Sequence, residues 1–211
     1  MTIRNRPLII EFTGTPNSGK TGAIHSAKNR LESMGYKVKV TQEDAELVPK
    51  EIPKKTWVRN MWIAGGQIQG LIEAMYFDGD IVFLDRGYYD AIFWADFLSS
   101  QGICAPFESD ELKWFMSCMN SSFDLTPDFL FIFDVETEES LRRRYAMEGA
   151  DVPVLSTNNF IDDYRKVLSD FANSIETPHS LVDTTSLTPC EVTDTVLSKV
   201  LVYDFIKEKR R

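Results

Sequence analysis

LIIEFTGTPNSGKT, the stretch from Leu8 to Thr21, decides how this chain folds. Its first part, Leu8 to Thr13, is a short apolar run, and such runs are typical of strands buried inside a parallel sheet. From Gly19 to Met34 the apolar residues recur at helical spacing, and Gly35 follows where a helix commonly ends. The stretch therefore predicts a buried strand, a glycine-bearing turn and an amphipathic helix in immediate succession.

The turn itself, Gly14-Thr15-Pro16-Asn17-Ser18-Gly19-Lys20-Thr21, matches the pattern GxxxxGK[ST] without departure. Between a strand and a helix this pattern predicts a phosphate-binding loop. Gly14 and Gly19 let the main chain turn sharply, and successive N–H groups, with Asn17 and Ser18 among them, surround an anion. Lys20 then places a cation near the β- and γ-phosphates of a nucleotide, and the Thr21 hydroxyl can ligate Mg²⁺. The alternative is a loop that merely turns the chain.

The rest of the chain continues the alternation of strands and helices. Four further short segments are predicted as strands: Lys37–Thr41, Asp80–Asp85, Asp128–Val135 and Leu181–Asp183. Such alternation predicts an α/β fold, in which a parallel sheet is covered by helices on both faces as a three-layer sandwich. Ligands of these sheets bind beyond the carboxyl ends of the strands, so acids and glycines at strand ends are the candidate functional residues.

Asp85 and Arg86 stand at one of these strand ends. An acid after four apolar residues is typical of a Walker B element, whose carboxylate holds Mg²⁺ directly or through water. Arg86 beside it could clamp a second phosphate or polarise an acceptor. The alternative interpretation is a structural ion pair at the end of a strand.

Three consecutive arginines, Arg142 to Arg144, form the most basic cluster of this acidic chain. On a helix they cannot all face one ligand, because successive residues are about 100° apart. One or two could reach phosphate oxygens that gain charge during transfer, and the others would face solvent or the acids upstream. A wholly solvated helix face is the alternative.

Composition excludes several classes of protein. The 211 residues carry a formal net charge of -9, which disfavours binding of extended nucleic acid but not a local basic site. No stretch approaches the roughly 18 apolar residues of a membrane span. The 3 cysteines lie far apart without a CxxC pair. One domain over residues 1–211, cytoplasmic and without a membrane contact, is expected.

The glycine loop, the pair Asp85-Arg86 and the segment DVETEESLRRR (residues 134–144) resemble the thymidylate kinase and deoxynucleoside kinase group of P-loop kinases. The resemblance runs from about Leu8 to Val200 and implies a five-stranded parallel sheet in the order 2-3-1-4-5. It also implies an arginine-rich lid over about residues 137–158, in which Arg142 and Arg144 are the best matches for the arginines that contact ATP. ATP and Mg²⁺ are the implied cofactors.

On the acceptor side, the resemblance assigns the general base to Glu43, just after the second strand. Asp44 and Glu46 compete for that role, and Glu43 could equally be a solvated loop acid. Gln67 matches a glutamine that reads a base edge, with exposure to solvent as the alternative. Glu43, Gln67 and Arg86 are all assigned to substrate binding.

One departure from the family pattern concerns an acceptor phosphate. Thymidylate kinases hold this phosphate with an arginine midway along the long helix, where this chain has IAGGQ, residues 63–67. Arg59, a turn or more away, is the candidate substitute. A thymidylate acceptor is therefore not expected.

The residues together predict an ATP- and Mg²⁺-dependent phosphotransferase acting on a nucleoside, a nucleotide or a similar small acceptor. Lys20 and the lid arginines would neutralise charge, and Glu43 or Asp85 would orient or deprotonate the acceptor. A regulatory NTPase that switches a partner interface is one alternative, and a kinase acting on a nucleic-acid end or a modified base is another. The acceptor, the choice between ATP and GTP, and the choice between monomer and homodimer stay open.

Overall fold

A computed structural model describes residues 6–54, 56–123, 126–148 and 158–209. Within these residues one sheet is formed, and its strands are Leu8–Gly14 (β1), Val38–Val40 (β2), Ile81–Asp85 (β3), Phe129–Asp134 (β4) and His179–Asp183 (β5). All neighbouring strands are parallel, and their order across the sheet is β2-β3-β1-β4-β5. The predicted α/β architecture and strand order are confirmed.

The helices of the described residues are Lys20–Ser33 (α1), Asp44–Leu47 (α2), Trp57–Met75 (α3), Tyr88–Ser100 (α4), Pro106–Phe123 (α5), Thr137–Glu148 (α6), Asn158–Ser174 (α7) and Pro189–Lys209 (α8). Periodicity does not indicate α2, because four residues are too few to show a helical repeat. Of the predicted lid, α6 and the start of α7 are described, whereas residues 149–157 lie outside the described residues. No helix in the described part of the chain combines the length and apolarity needed to cross a membrane.

β1 is the centre of the sheet, and all seven of its residues are buried. On one face Ile10 and Phe12 pack with apolar side chains of α1 and α8. On the other face Ile9 packs with α3, α4 and α5, and Leu130 of β4 packs with α4 and α7. Strand side chains alternate between faces, so a strand covered on both sides requires a continuous apolar run.

The ends of the three central strands lie side by side. Phe12 pairs with Asp85 in β3, and Gly14 pairs with Phe133 in β4. The loop that follows β1 therefore begins between the last residues of β3 and β4. This register brings the glycine loop next to Asp85 and Asp134.

Gly14→Ala is expected to destabilise the protein by about 3 kcal/mol or more, because the added Cβ would lie 2.0 Å from the Phe133 carbonyl oxygen. Gly14 also has a φ of 133°, a backbone conformation that residues other than glycine rarely adopt. The matched control is Gly22→Ala in α1, because a Cβ added there would meet no atom within 4 Å. This substitution should stabilise the helix by about 0.5–1 kcal/mol. Urea denaturation measures both. Equal stabilities of the two variants would contradict the close contact.

Candidate active site

The loop between β1 and α1 has the left-handed backbone conformations that its glycines permit. Gly19 has a φ of 86° and Asn17 has a φ of 59°. The carbonyl groups of residues 14 to 18 all accept hydrogen bonds from side chains. The donors are Tyr164 and Lys20 for Gly14, Lys20 for Thr15, Ser140 for Pro16, Arg143 for Asn17 and Thr184 for Ser18. Two N–H groups of the loop are bonded within the protein, Thr15 to the Phe133 carbonyl at 2.9 Å and Ser18 to the Thr15 carbonyl at 3.3 Å. A glycine-bearing loop that leads into a helix N-terminus is suited to an anion through its remaining N–H groups.

Lys20 is folded back on the loop that precedes it. Its ammonium group donates to the carbonyls of Gly14 and Thr15 at 3.0 and 2.9 Å, and 6% of the residue is exposed. Burial lowers the pKa of Lys20 to about 8, and the Arg86 guanidinium acts in the same direction. To bind a phosphate, the lysine has to exchange these carbonyls for phosphate oxygens.

Thr21 and Asp85 lie together, with the threonine hydroxyl donating to Oδ2 of the aspartate at 2.9 Å. The other oxygen, Asp85 Oδ1, is buried and has no hydrogen-bond partner among the described residues. Burial raises the pKa of Asp85, and the charge of Glu43 adds to the rise. A hydroxyl next to a carboxylate with one buried, unpartnered oxygen fits Mg²⁺, a hard cation that prefers oxygen ligands.

Arg86 joins the acids around the end of β3. It has a φ of 72°, unusual for a residue other than glycine, and its N–H donates to the Phe12 carbonyl. Its Nε donates to Glu43 at 2.6 Å and its Nη1 donates to Asp90 at 2.9 Å. Backbone strain of this kind persists only where the surroundings enforce it, and it is concentrated at functional sites.

A cavity of about 450 Å³ opens beside Arg86. Glu43, Asp90 and Gln67 line it with Arg86 as one hydrogen-bonded chain, in which Gln67 donates to Asp90 at 3.3 Å. The remaining wall is largely apolar and includes Ile63, Ala91, Trp94, Leu98 and Phe160. Aromatic and aliphatic walls around a few polar groups suit a planar molecule with a polar edge.

Two side-chain amides of α3 belong to this cavity and are almost completely buried. Gln67 is 2% exposed and Asn60 is 7% exposed. Gln67 Oε1 and Asn60 Nδ2 find no hydrogen-bond partner within the described residues. Burial excludes the alternative that Gln67 faces solvent. Buried polar atoms are nearly always hydrogen-bonded in native proteins, so these atoms mark places for ligand or water atoms.

The three acids that compete as general base occupy different places. Glu43 lines the cavity, whereas Glu46 is exposed. Asp44 lies against α3, where a Cβ on Gly66 would come within 2.3 Å of its carboxylate. A side chain at position 66 would therefore require the Asp44 carboxylate to move. Partial burial raises the pKa of Asp44 to about 6, and the charge of Glu43 acts in the same direction.

Arg59 lines the same cavity and donates from Nη2 to the Ala45 carbonyl at 2.9 Å. This bond ties α3 to the segment around α2. The structure thus places Arg59 in the same cavity as Glu43 and Gln67. Whether it binds an acceptor phosphate stays a prediction.

The three arginines of α6 are placed differently from one another. Arg142 pairs with Glu139 in its own helix, and 70% of its side chain is exposed. Arg143 also contacts Glu139, and it reaches the Asn17 carbonyl and both the carbonyl and the hydroxyl of Thr184. Hydrogen bonds from the two arginines lower the pKa of Glu139 to about 2. The structure thus brings Arg143 to the loop, whereas contacts of Arg142 and Arg144 with ATP stay predictions.

Sequence reasoning missed several of these residues. Arg143 was named only as one of the three arginines, with Arg142 and Arg144 favoured; it lies three positions after Ser140, and both contact the glycine loop from one face of α6. Asp90, which pairs with Arg86 four residues earlier, had a weak signal, because the helix that brings the two together begins only at Tyr88. Arg165, which pairs with Asp134 at the end of β4, had none, because the two are far apart in sequence.

Glu11, in the middle of β1, was also missed, and it caps α4 from outside the helix. Its two oxygens accept hydrogen bonds from the main-chain N–H groups of residue 89 at 3.1 Å and of Asp90 at 2.8 Å. The residue at the cap position itself is Gly87, which makes no side-chain cap. Burial raises the pKa of Glu11 to about 8. Glu11 therefore holds the start of α4, and with it Asp90, against the sheet.

Comparisons with known proteins support the fold. No family model matches the chain, and no curated protein sequence matches it. Among solved structures it is similar to deoxyadenosine kinase from M. mycoides with the products dCMP and a flexible dCDP bound, with a TM-score of 0.70 and 16% identity over 92% of this chain and 99% of that chain. It is likewise similar to deoxyadenosine kinase from M. mycoides with bound dATP, with a TM-score of 0.71 and 16% identity over 91% and 98% of the two chains. The chain therefore has the fold of these kinases.

Glu11→Gln is expected to change how stability depends on pH. Because the pKa of Glu11 is raised from 4.5 to about 8 in the folded protein, its favourable contribution is complete below pH 4.5 and is lost as the pH rises toward 8. The free energy of unfolding of the wild type, relative to Glu11→Gln, should fall by at most about 1.4 kcal/mol per pH unit across this window. Urea denaturation at several pH values measures it, with exposed Glu46→Gln as control. A difference independent of pH would contradict the burial effect.

Proposed function

We propose that this protein is a phosphotransferase that uses ATP and Mg²⁺ to phosphorylate a hydroxyl group of a nucleoside. The observation that carries the proposal is that two consecutive residues, Asp85 and Arg86, connect the glycine loop with the cavity. Asp85 contacts Thr21 of the phosphate loop, and Arg86 lines the cavity. A phosphate donor in the loop and a planar acceptor in the cavity would therefore lie next to each other.

The phosphate donor would be bound by the loop amides and by Lys20. Thr21 and Asp85 would hold Mg²⁺, which when bound neutralises charge on the β- and γ-phosphates. The nucleotides named with the structurally similar kinases, dATP in one and dCMP with dCDP in the other, support a nucleotide as the ligand of this fold.

The acceptor hydroxyl would be activated by Glu43. The hydroxyl oxygen forms a bond to the γ-phosphorus, the bond to the β,γ-bridging oxygen breaks, the proton passes to Glu43, and ADP leaves. Arg86 donates to one oxygen of Glu43 at 2.6 Å, which fixes the carboxylate and leaves its other oxygen for the acceptor. Regulatory switching is less well supported, because the cavity beside the loop provides a place for a second substrate.

The charges around the cavity favour an acceptor without a phosphate. Arg86 already contacts two carboxylates, those of Glu43 and Asp90, so an anion placed there would meet both acids. Gln67 and Asp90 offer instead the hydrogen-bonding groups that suit the edge of a nucleobase. These contacts support a nucleoside rather than a nucleotide.

A nucleoside monophosphate is the second candidate acceptor, and Arg59 is the observation that favours it. In the described contacts its guanidinium binds a main-chain carbonyl rather than a carboxylate. Its charge is therefore available for an anion in the cavity.

The direct test is formation of ADP from ATP with a panel of nucleosides, nucleoside monophosphates and small metabolites, with and without Mg²⁺. At least one nucleoside should accelerate ADP formation, and the phosphorylated product should appear in equal amount. Acceleration by monophosphates alone would select the second candidate. ADP formation that no acceptor accelerates would contradict both.

Glu43→Gln is expected to lower kcat by about 10²–10⁴-fold, because the proton of the acceptor hydroxyl loses its base while the shape of the side chain is kept. The matched control is Asp44→Asn, whose side chain lies against Gly66 and should change kcat little. Steady-state kinetics with the best acceptor compares the variants. A large loss in Asp44→Asn with none in Glu43→Gln would move the base to Asp44.

A further inference from the structure

Tyr164, which the proposed reaction does not use, lies in α7 with no exposed surface. Its ring packs among Phe93, Trp94 and Phe97, with a centroid distance of 4.5 Å to Phe93. Close packing of this kind fixes the ring and hence the direction of its hydroxyl. Burial raises the pKa of Tyr164 far above its ordinary value, although Arg86 opposes the rise. The hydroxyl therefore stays protonated and acts as a hydrogen-bond donor.

The acceptor of this hydrogen bond is the Gly14 carbonyl at 3.0 Å, the oxygen to which Lys20 also donates at 3.0 Å. A carbonyl has two lone pairs and accepts both donors. When Lys20 turns to the phosphates of a nucleotide, this oxygen loses one of them. Gly14 is buried, and a buried carbonyl without a partner is costly.

We propose that Tyr164 is a positioning residue for nucleotide binding, because its hydroxyl keeps the Gly14 carbonyl bonded after Lys20 has moved to the phosphates. The inference rests on the proposed function in one respect, that the loop binds ATP. The tyrosine makes the movement of the lysine less costly and keeps the first turn of the loop in place while the lysine is engaged.

The rest of α7 supports this assignment. Arg165, the next residue, pairs with Asp134 at 2.9 Å, and Asp134 also accepts the Thr15 hydroxyl at 2.8 Å. Phe160, one turn before Tyr164, lines the acceptor cavity. One helix thus contacts Gly14 directly, is linked to Thr15 through Asp134, and forms part of the wall of the cavity.

A positioning role and a merely structural role predict different behaviour of Tyr164→Phe, which keeps the ring and removes the hydroxyl. Without nucleotide, Lys20 still bonds the Gly14 carbonyl, so the melting temperature should change by no more than about 2 °C. With nucleotide, the carbonyl is left bare, so the Kd for ATP with Mg²⁺ should rise about tenfold. A structural role would lower the melting temperature and leave the Kd unchanged.

The experiment measures ATP binding by calorimetry and the melting temperature for the wild type and Tyr164→Phe. Tyr89→Phe is the matched control, because it removes a hydroxyl that contacts Thr177, away from the loop. Its Kd for ATP should equal that of the wild type. A wild type that does not bind ATP overturns both the proposed function and this inference, whereas an unchanged Kd in Tyr164→Phe overturns this inference alone.

A double-mutant cycle with Lys20→Ala provides a second readout. In that background the Gly14 carbonyl depends on Tyr164 alone, so adding Tyr164→Phe should now lower the melting temperature clearly. The same addition should change the Kd for ATP by less than about twofold, because there is no lysine left to move. Equal effects of Tyr164→Phe in both backgrounds, on stability or on affinity, would overturn the proposal.

Discussion

The carbonyl groups of residues 14 to 18 all accept side-chain hydrogen bonds, and four of the five are bonded by residues from other elements of the fold. A buried carbonyl without a partner costs about 1–3 kcal/mol, so the donors are as necessary to the loop as its glycines. α7 supplies Tyr164, α6 supplies Ser140 and Arg143, and the segment after β5 supplies Thr184. The helices that follow β4 are therefore placed by the same requirement that shapes the phosphate site.

In a protein with a net charge of -9, cationic and acidic side chains lie together around the candidate phosphate site. Lys20 and Arg86 lie near the ends of the central strands, but Glu43, Asp85 and Asp90 lie there as well. Arg86 is paired with two of these carboxylates, whereas Lys20 donates to main-chain carbonyls. Acids at this place suit a ligand that arrives with its own cation, as a nucleotide bound to Mg²⁺ would.

Local patterns allowed the architecture and the loop to be predicted, because strand, turn and helix follow one another directly between Leu8 and Ser33. The acid at the end of β3 could be predicted for the same reason. Glu11 could not, since an acid in an apolar strand shows its purpose only when α4 packs over it. Tyr164 could not be predicted either, because its hydroxyl acquires a role only from the position of Gly14. Of the three arginines in α6, the helix orientation and not the sequence decides which one contacts the loop.

The central position of β1 has a consequence for synthesis of the chain. β1 leaves the ribosome before β4, yet its main chain at Ile9 is bonded to Asp128, 119 positions later. At ordinary translation speeds of about 5–20 residues per second, the apolar strand waits roughly 6–24 s for β4 to emerge. During that time the main-chain N–H and C=O groups of β1 that later bond to β4 are open to other chains. The nascent protein should therefore depend on early association with α1 and β3, or on chaperones, to avoid aggregation.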